Sequence, residues 1–237
     1  MDSFKGFDDD TLLLLAENKF NDSRPYYESI KEVLKKKATI PMRQLCSDLC
    51  DELFEIDPHM NLIPQKMVSR IRRDTRFAKN KEMYRDNMWC MFMRHKHHWH
   101  HQPCMWFEIM PGGYSIGVGT FRIEPGYLDV YRKTILENTE EFIAACESAY
   151  SLGAVVDFEC FKKEKPGSEL LPKSVRPFYN AKYLYFINFS SDLSPIFSHN
   201  ILDEIRKNIN AYTPMYKFLI KVCERIISEK GKNYDED

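Results

Sequence analysis

Residues 105–121 read MWFEIMPGGYSIGVGTF: an apolar run to Met110, the turn signal Pro111-Gly112-Gly113, and a second apolar run from Tyr114 to Phe121. Two short apolar runs on either side of Pro-Gly-Gly predict a β-hairpin. Just beyond it, Pro125 opens a periodic stretch through Leu128, Ile135, Phe142 and Ala145. That spacing predicts one long helix to about Ser148, with the proline in the first turn, where helices tolerate it.

Working outward from the hairpin, the N-terminal quarter is helical in pattern. Asp8 to Asp10 place negative charge before Thr11 and the run Leu12 to Ala16, as a helix N-terminus favours. A second helix is expected from about Pro25 to Leu34 and a third over 42–54, both near a 3.6-residue period. Cys46 and Cys50 fall four apart on the third, beside Leu49 and Leu53, and read as small core residues. Downstream, 155–161 and 183–189 are short, apolar and aromatic and read as strands, separated by a polar loop with Pro166-Gly167. From His199 to Ile227 the period is helical again, with a break expected near Tyr212-Thr213-Pro214. Helices, then a sheet with a crossing helix, then helices describe an α+β fold: mainly antiparallel sheet, helices at both ends, and one long helix after the central hairpin.

No repeat or low-complexity linker divides the 237 residues, so a single domain, 1–237, is expected. Sixteen Phe and thirteen Tyr call for a packed interior. A formal charge of −1 excludes a global field drawing the chain onto nucleic acid or an anionic membrane, so any cationic surface must be local. The acidic N-terminus and the absence of a long apolar run argue against a signal peptide or membrane span. Seven cysteines without a CxxC suggest a reducing compartment rather than a disulfide framework. A cytoplasmic protein is expected.

The main local anomaly is cationic. Between Lys66 and Lys96 lie Lys66, Arg70, Arg72, Arg73, Arg76, Lys79, Lys81, Arg85, Arg94 and Lys96, against Asp74, Glu82 and Asp86. Guanidinium forks bind carboxylate or phosphate oxygens bidentately, and a neighbouring aspartate can orient them. Arg73-Asp74-x-Arg76 can thus be an anion clamp, with Lys81 as a further donor and Tyr84 as a hydrogen-bonding wall. On a helix Arg70 and Arg73 share a face with Phe77; in an extended segment Arg70, Arg72, Asp74 and Arg76 do. The alternative is an internal ion-pair network, in which replacing Arg76 would strip a buried Asp74 of its partner. Nucleic acid is a lesser alternative, with Tyr84, Trp89 and Trp99 as stacking platforms.

The motif Arg70-x-x-Arg73-Asp74-x-Arg76-Phe77-x-x-Asn80-Lys81-x-x-Tyr84 resembles the signature of the bacterial domain-of-unknown-function family numbered 2461. The similarity extends from Phe4-x-Gly6-Phe7 through Arg132 to Pro166-Gly167 and Lys182, essentially the whole chain. The resemblance implies a stand-alone intracellular protein of this length and brings no catalytic residue or substrate. It adds Arg132 to the candidate ligand-binding set of Arg70, Arg73, Asp74, Arg76, Lys81 and Tyr84.

Two further patterns stand out in the sequence. His95, His97, His98, His100 and His101, flanked by Cys90 and Cys104, contain the ligand types of a zinc, nickel or copper site, yet a contiguous run more often occupies a solvated loop. Gly112-Gly113 and Gly117-x-Gly119 mark either backbone approach to a ligand or a tightly packed hairpin. Neither GxSxG nor HExxH occurs, and Glu108, Asp157 and Glu159 lack a recognisable partner by spacing. Three functions follow as expectations: a pocket for a phosphorylated or otherwise anionic small molecule, a non-catalytic structural or interaction module, and metal-dependent hydrolysis through the histidines. No cofactor is implied, and the oligomeric state is not encoded in these patterns.

Overall fold

The hairpin forms where the apolar runs place it. In the computed structural model, which describes residues 3–76, 79–94, 102–120 and 125–230, β1 (Met88–Phe92) precedes the hairpin arms β2 (Pro103–Met110) and β3 (Gly113–Thr120). Gly112 takes φ +87° at the turn, a conformation that glycine adopts without a Cβ clash. With β4 (Val155–Asp157) and β5 (Tyr185–Ser190) they make one antiparallel sheet in the order β1-β2-β3-β5-β4. The chain is α+β, as its pattern predicts. In β4 and β5, Val155 faces Ile187 and Asp157 faces Tyr185. The expected strand over 155–161 stops at Asp157. Beyond it, Phe161 donates its N–H to Asn180 and Lys182 donates to Glu159, so 159–161 form a separate loose ladder with 180–182.

Glycine in β3 has a packing reason. A Cβ on Gly113 would lie 2.4 Å from the Phe189 ring and the Ser190 carbonyl, and one on Gly119 would lie 2.3 Å from the Leu184 carbonyl. The close neighbour is β5 and its N-terminal approach, which supports the tight-hairpin reading of this motif.

Helices surround the sheet strands in sequence. Helix α1 (Thr11–Asn21) begins after Asp10, whose carboxylate does not cap it but pairs with Lys37 at 2.6 Å. Helix α2 (Arg24–Leu34) runs through a π turn (Lys35–Thr39) into α3 (Ile40–Asp48). Pro41 lies in the first turn of α3, just beyond the π turn, where its missing N–H is tolerated. The helix expected over 42–54 is interrupted at Leu49, giving α4 (Cys50–Ile56), and beside the break the Asp48 carbonyl accepts from Arg206. Cys46 is fully buried, as read from sequence, while half-buried Cys50 donates to its carbonyl. A single turn, α5 (Pro64–Met67), leads to the basic segment.

Two expectations about helix continuity are corrected. The stretch after the hairpin is two helices, α6 (Pro125–Glu137) and α7 (Thr139–Tyr150), not one. Asn138 breaks it with φ −134° and ψ 46°, and the side chains of Asn138 and Thr139 donate to the carbonyls of Thr134 and Ile135. Such side-chain donors compete with the helical ladder. Conversely, the break expected at Pro214 does not occur, and after the single turn α8 (Arg176–Tyr179) and β5, helix α9 (Asn200–Lys230) continues past it. Thr213 donates its hydroxyl to the Ile209 carbonyl and Ser148 to that of Ala211, supplying donors where the proline disturbs the ladder. Buried Ile209, Tyr212, Met215, Tyr216 and Leu219 hold the helix on its apolar stripe.

The chain divides into two compact units. The first comprises Met1–Phe92, Trp106–Ile116 and Phe189–Lys207, and buries Phe4, Leu15, Leu34, Leu45, Leu53 and Phe107. The second comprises Met93–Met105, Gly117–Asn188 and Asn208–Asp237. At its centre Phe142 meets Phe218, Phe178 and Tyr131 edge-on, at centroid distances of 5.1, 5.7 and 6.3 Å. Among the described residues no helix is long and apolar enough to cross a membrane.

Candidate functional site

In the first unit, the basic segment is extended. Val68 bridges Cys90 and Arg72 bridges Tyr84, with Ser69 N–H bonded to Trp89, Arg73 N–H to Met83 and Arg85 N–H to Ile71. Ile71 turns inward while Arg70, Arg72, Asp74 and Arg76 are exposed, so the extended rather than the helical geometry holds.

Its charges are largely engaged within the chain. Arg76 grips Asp74 with Nε at 3.0 Å and Nη2 at 2.7 Å, and these donors hold the Asp74 carboxyl at about 2. Arg73 pairs with Glu82 at 3.2 Å and Lys81 donates to the Thr75 carbonyl at 3.1 Å. Asp86 takes Lys19, and Arg85 donates to the Arg70 and Arg72 carbonyls while lying 4.8 Å over Trp89. Asp74 and Arg76 are 59% and 76% exposed, so the expectation of a buried Asp74 is corrected: the clamp is a solvated surface pair. Tyr84 is 1% exposed and stacks on Tyr27 at 4.8 Å, which places its ring in the core and not on a ligand wall. Asp22, in the left-handed region at φ 38°, accepts the Met83 and Tyr84 N–H groups and fixes the return of the loop.

Arg132 belongs to the second unit, and its surroundings differ in kind. It occupies the buried stripe of α6 with Leu128, Tyr131 and Ile135, at spacings of three and four, yet it is a cation. Only 8% of it is exposed. Nε donates to the Tyr179 carbonyl at 3.2 Å and Nη1 to Asp129 at 3.3 Å, while buried Nη2 has no hydrogen-bond partner among the described residues. Native interiors rarely leave such a donor unmatched.

Beside this guanidinium is a pocket of about 290 Å³ lined by Asp129, Arg132, Lys133, Leu136, Lys165, Pro166 and Tyr179. Three cations approach one aromatic ring there: Lys165 Nζ lies 4.2 Å, the Arg132 guanidinium carbon 5.3 Å and Lys182 Nζ 5.8 Å from the Phe161 centroid. Lys182 also pairs with Glu159, and Lys133 with Glu229 at 3.8 Å. The loop carrying Lys165 is fixed by Asn180, which is buried: its Oδ1 accepts the Lys165 N–H at 2.7 Å and its Nδ2 donates to Ser168 and Arg176. Tyr179 donates its hydroxyl to the Pro166 carbonyl at 2.6 Å. Gly167, at φ +90°, passes under that ring, where a Cβ would come within 2.9 Å of the hydroxyl.

The candidate set is thus divided. Arg73, Asp74, Arg76 and Lys81 gather in one exposed loop of the first unit, and Arg132 heads a pocket of the second. Lys165, Lys133 and Tyr179 were missed by sequence reasoning. A signal for the site existed in the charged residue on the apolar stripe of α6 and in the shared appearance of Arg132, Pro166-Gly167 and Lys182 in the family resemblance.

Among the described residues the other patterns give no second site. His95, His97, His98, His100 and His101 lie outside the described residues, and their flanking Cys90 and Cys104 are fully buried. Among the described residues no three His, Cys, Asp or Glu side chains gather as a metal centre. Glu108 accepts from Asn87, Asp157 from Tyr183 and Glu159 from Lys182, so each carboxylate has a structural partner.

Comparison with known families matches residues 10–218 of the 237 to a family described as "Conserved hypothetical protein (DUF2461)". No curated protein matches the chain.

Proposed function

We propose, for a chain that belongs to the DUF2461 family of conserved hypothetical proteins, that it binds a small anionic ligand in the pocket headed by Arg132. The observation that carries this reading is a buried guanidinium with an unpartnered Nη2, beside a pocket with Lys165 and Lys133 on its walls. Burying a cation is costly, and bringing like charges together adds to that cost. An anion entering the pocket offsets both. The ligand is small and carries phosphate or carboxylate oxygens, and apolar atoms of Leu136, Pro166 and Tyr179 cover the rest of it.

For residues 70–85 the ion-pair reading is the better supported, since Asp74, Glu82 and Asp86 each have a cation within 3.2 Å. That segment then holds the edge of the first unit, and the ligand site lies elsewhere.

Thermal shift of the whole chain with inorganic phosphate, pyrophosphate, sulfate and succinate tests the assignment. At about 100 times its dissociation constant a ligand stabilises the native state by roughly 2.7 kcal/mol. At least one anion is expected to raise the melting temperature of wild type and of Arg76→Ala but not of Arg132→Met. Loss of the shift in Arg76→Ala with retention in Arg132→Met would return the site to the basic segment.

A further inference from the structure

We infer that the ligand of the Arg132 pocket is a phosphate monoester in its dianionic form, and that its oxygens take the place of the Asp129 carboxylate on the guanidinium. The inference rests on the anion-binding reading above and specifies its ligand.

The argument starts from the donors that remain. Nε of Arg132 is committed to the Tyr179 carbonyl, which fixes the plane of the guanidinium. The Nη1–Nη2 edge is therefore the one that can take an oxyanion bidentately. Half of that edge is covered by Asp129, one turn back on α6, whose side chain is 82% exposed and reaches Nη1 at 3.3 Å. Nη2, the other half, is buried and has no hydrogen-bond partner among the described residues. Asp129 is thus an internal anion seated on the solvent side of a guanidinium that lines the pocket.

A third donor selects the shape of the ligand. Lys165 Nζ shares the Phe161 ring with the Arg132 guanidinium and has no carboxylate partner among the described residues. Its backbone is tied to Asn180, and Lys165 and Arg132 line the same pocket. A planar carboxylate has two oxygens and satisfies the fork alone. A phosphate monoester has three terminal oxygens in a tetrahedral array: two meet Nη1 and Nη2, and the third meets Lys165. Charge agrees with shape: Glu229 offsets Lys133 at 3.8 Å, and once Asp129 is displaced the charges of Arg132 and Lys165 are left for a dianion to balance. At about 290 Å³ the pocket sits at the small end of ligand sites, which fits a phosphate with a body of a few carbon atoms.

Isothermal titration with glycerol phosphate, methyl sulfate and succinate tests this on wild type, Asp129→Asn and Arg132→Met. Glycerol phosphate is expected to bind one to one at pH 8 and to weaken by about tenfold at pH 5, below its second ionisation near 6. Methyl sulfate and succinate are expected to bind at least tenfold more weakly at pH 8. Asp129→Asn, an exposed change that leaves the core untouched, is expected to tighten glycerol phosphate by about two- to fivefold, the range set by the weakness of an exposed ion pair. If all three probes bind alike and Arg132→Met abolishes them all, the monoester assignment falls and the anion site stands. If Asp129→Asn binds no more tightly than wild type, displacement of Asp129 is wrong. If Arg132→Met binds glycerol phosphate as wild type does, both readings fall.

Discussion

Replacing Arg132 by methionine separates a residue kept for function from one kept for stability. The substitution keeps the aliphatic stem on the α6 stripe and removes the charge. What is lost is the bond to the Tyr179 carbonyl, about 1.5–3 kcal/mol for a charged donor. The contact over Phe161 adds about 0.5–2 kcal/mol. The Asp129 pair contributes about 0–1 kcal/mol because the carboxylate is 82% exposed. Against these losses, methionine relieves the unmatched Nη2, about 1–3 kcal/mol, together with part of a desolvation cost of several kcal/mol. The terms nearly cancel, so stability is expected to stay within about 2 kcal/mol of wild type while anion binding disappears. For a chain of this size that is a melting-temperature change of less than about 8 °C. Calorimetry without ligand reads the stability, and titration of the same sample reads the binding. A loss of more than about 4 kcal/mol would refute the reasoning, because it would mean that Arg132 is a satisfied structural cation whose removal breaks a network.

Asn18 is fully buried on α1 and neither amide atom has a partner among the described residues, so Asn18→Leu is expected to stabilise the chain by about 1–3 kcal/mol in chemical denaturation; destabilisation would show that the amide is matched. Gly167→Ala puts a Cβ into the left-handed region and against the Tyr179 hydroxyl, and is expected to cost about 1–2 kcal/mol and to weaken anion binding; an alanine variant as stable as wild type would contradict the geometry. The Asp74 carboxyl is lowered from 3.8 to about 2 by its bonds from Arg76, so the pairing stabilises the fold above about pH 4 and is lost as pH falls toward 2. Asp74→Asn is expected to flatten that part of the acid-unfolding curve slightly at low salt and not at high salt; an identical curve would show that the pair contributes nothing.

Much of the fold was legible because its signals are local. Pro111-Gly112-Gly113 between apolar runs is a turn that needs no tertiary information, and the 3.6 period of α1 and α2 is equally self-contained. Strand β1 adjoins the cationic segment and is only five residues long, so its inward alternation of Met88, Cys90 and Phe92 is a weak signal in sequence. The errors at Asn138 and Pro214 share a cause. Whether a helix continues through a weak point depends on side-chain donors and on burial of the flanking stripe, and Ser148, which donates beside Pro214, lies more than sixty residues away in sequence. The site was legible only in part. Arg132 stands out on an apolar stripe, but Lys165 and Tyr179 reach it through a loop whose path is set by Asn180, and nothing in their own sequence neighbourhood announces that. At the basic segment, density of charge is visible in sequence, while the pairing of Arg73 with Glu82 and of Arg76 with Asp74 is not.

The most direct test of the central claim is a phosphorus NMR titration of glycerol phosphate with the whole chain at pH 8. The account expects the resonance to shift or broaden saturably with wild type and with Arg76→Ala, and to stay unperturbed with folded Arg132→Met. Equal perturbation by wild type and Arg132→Met would contradict it.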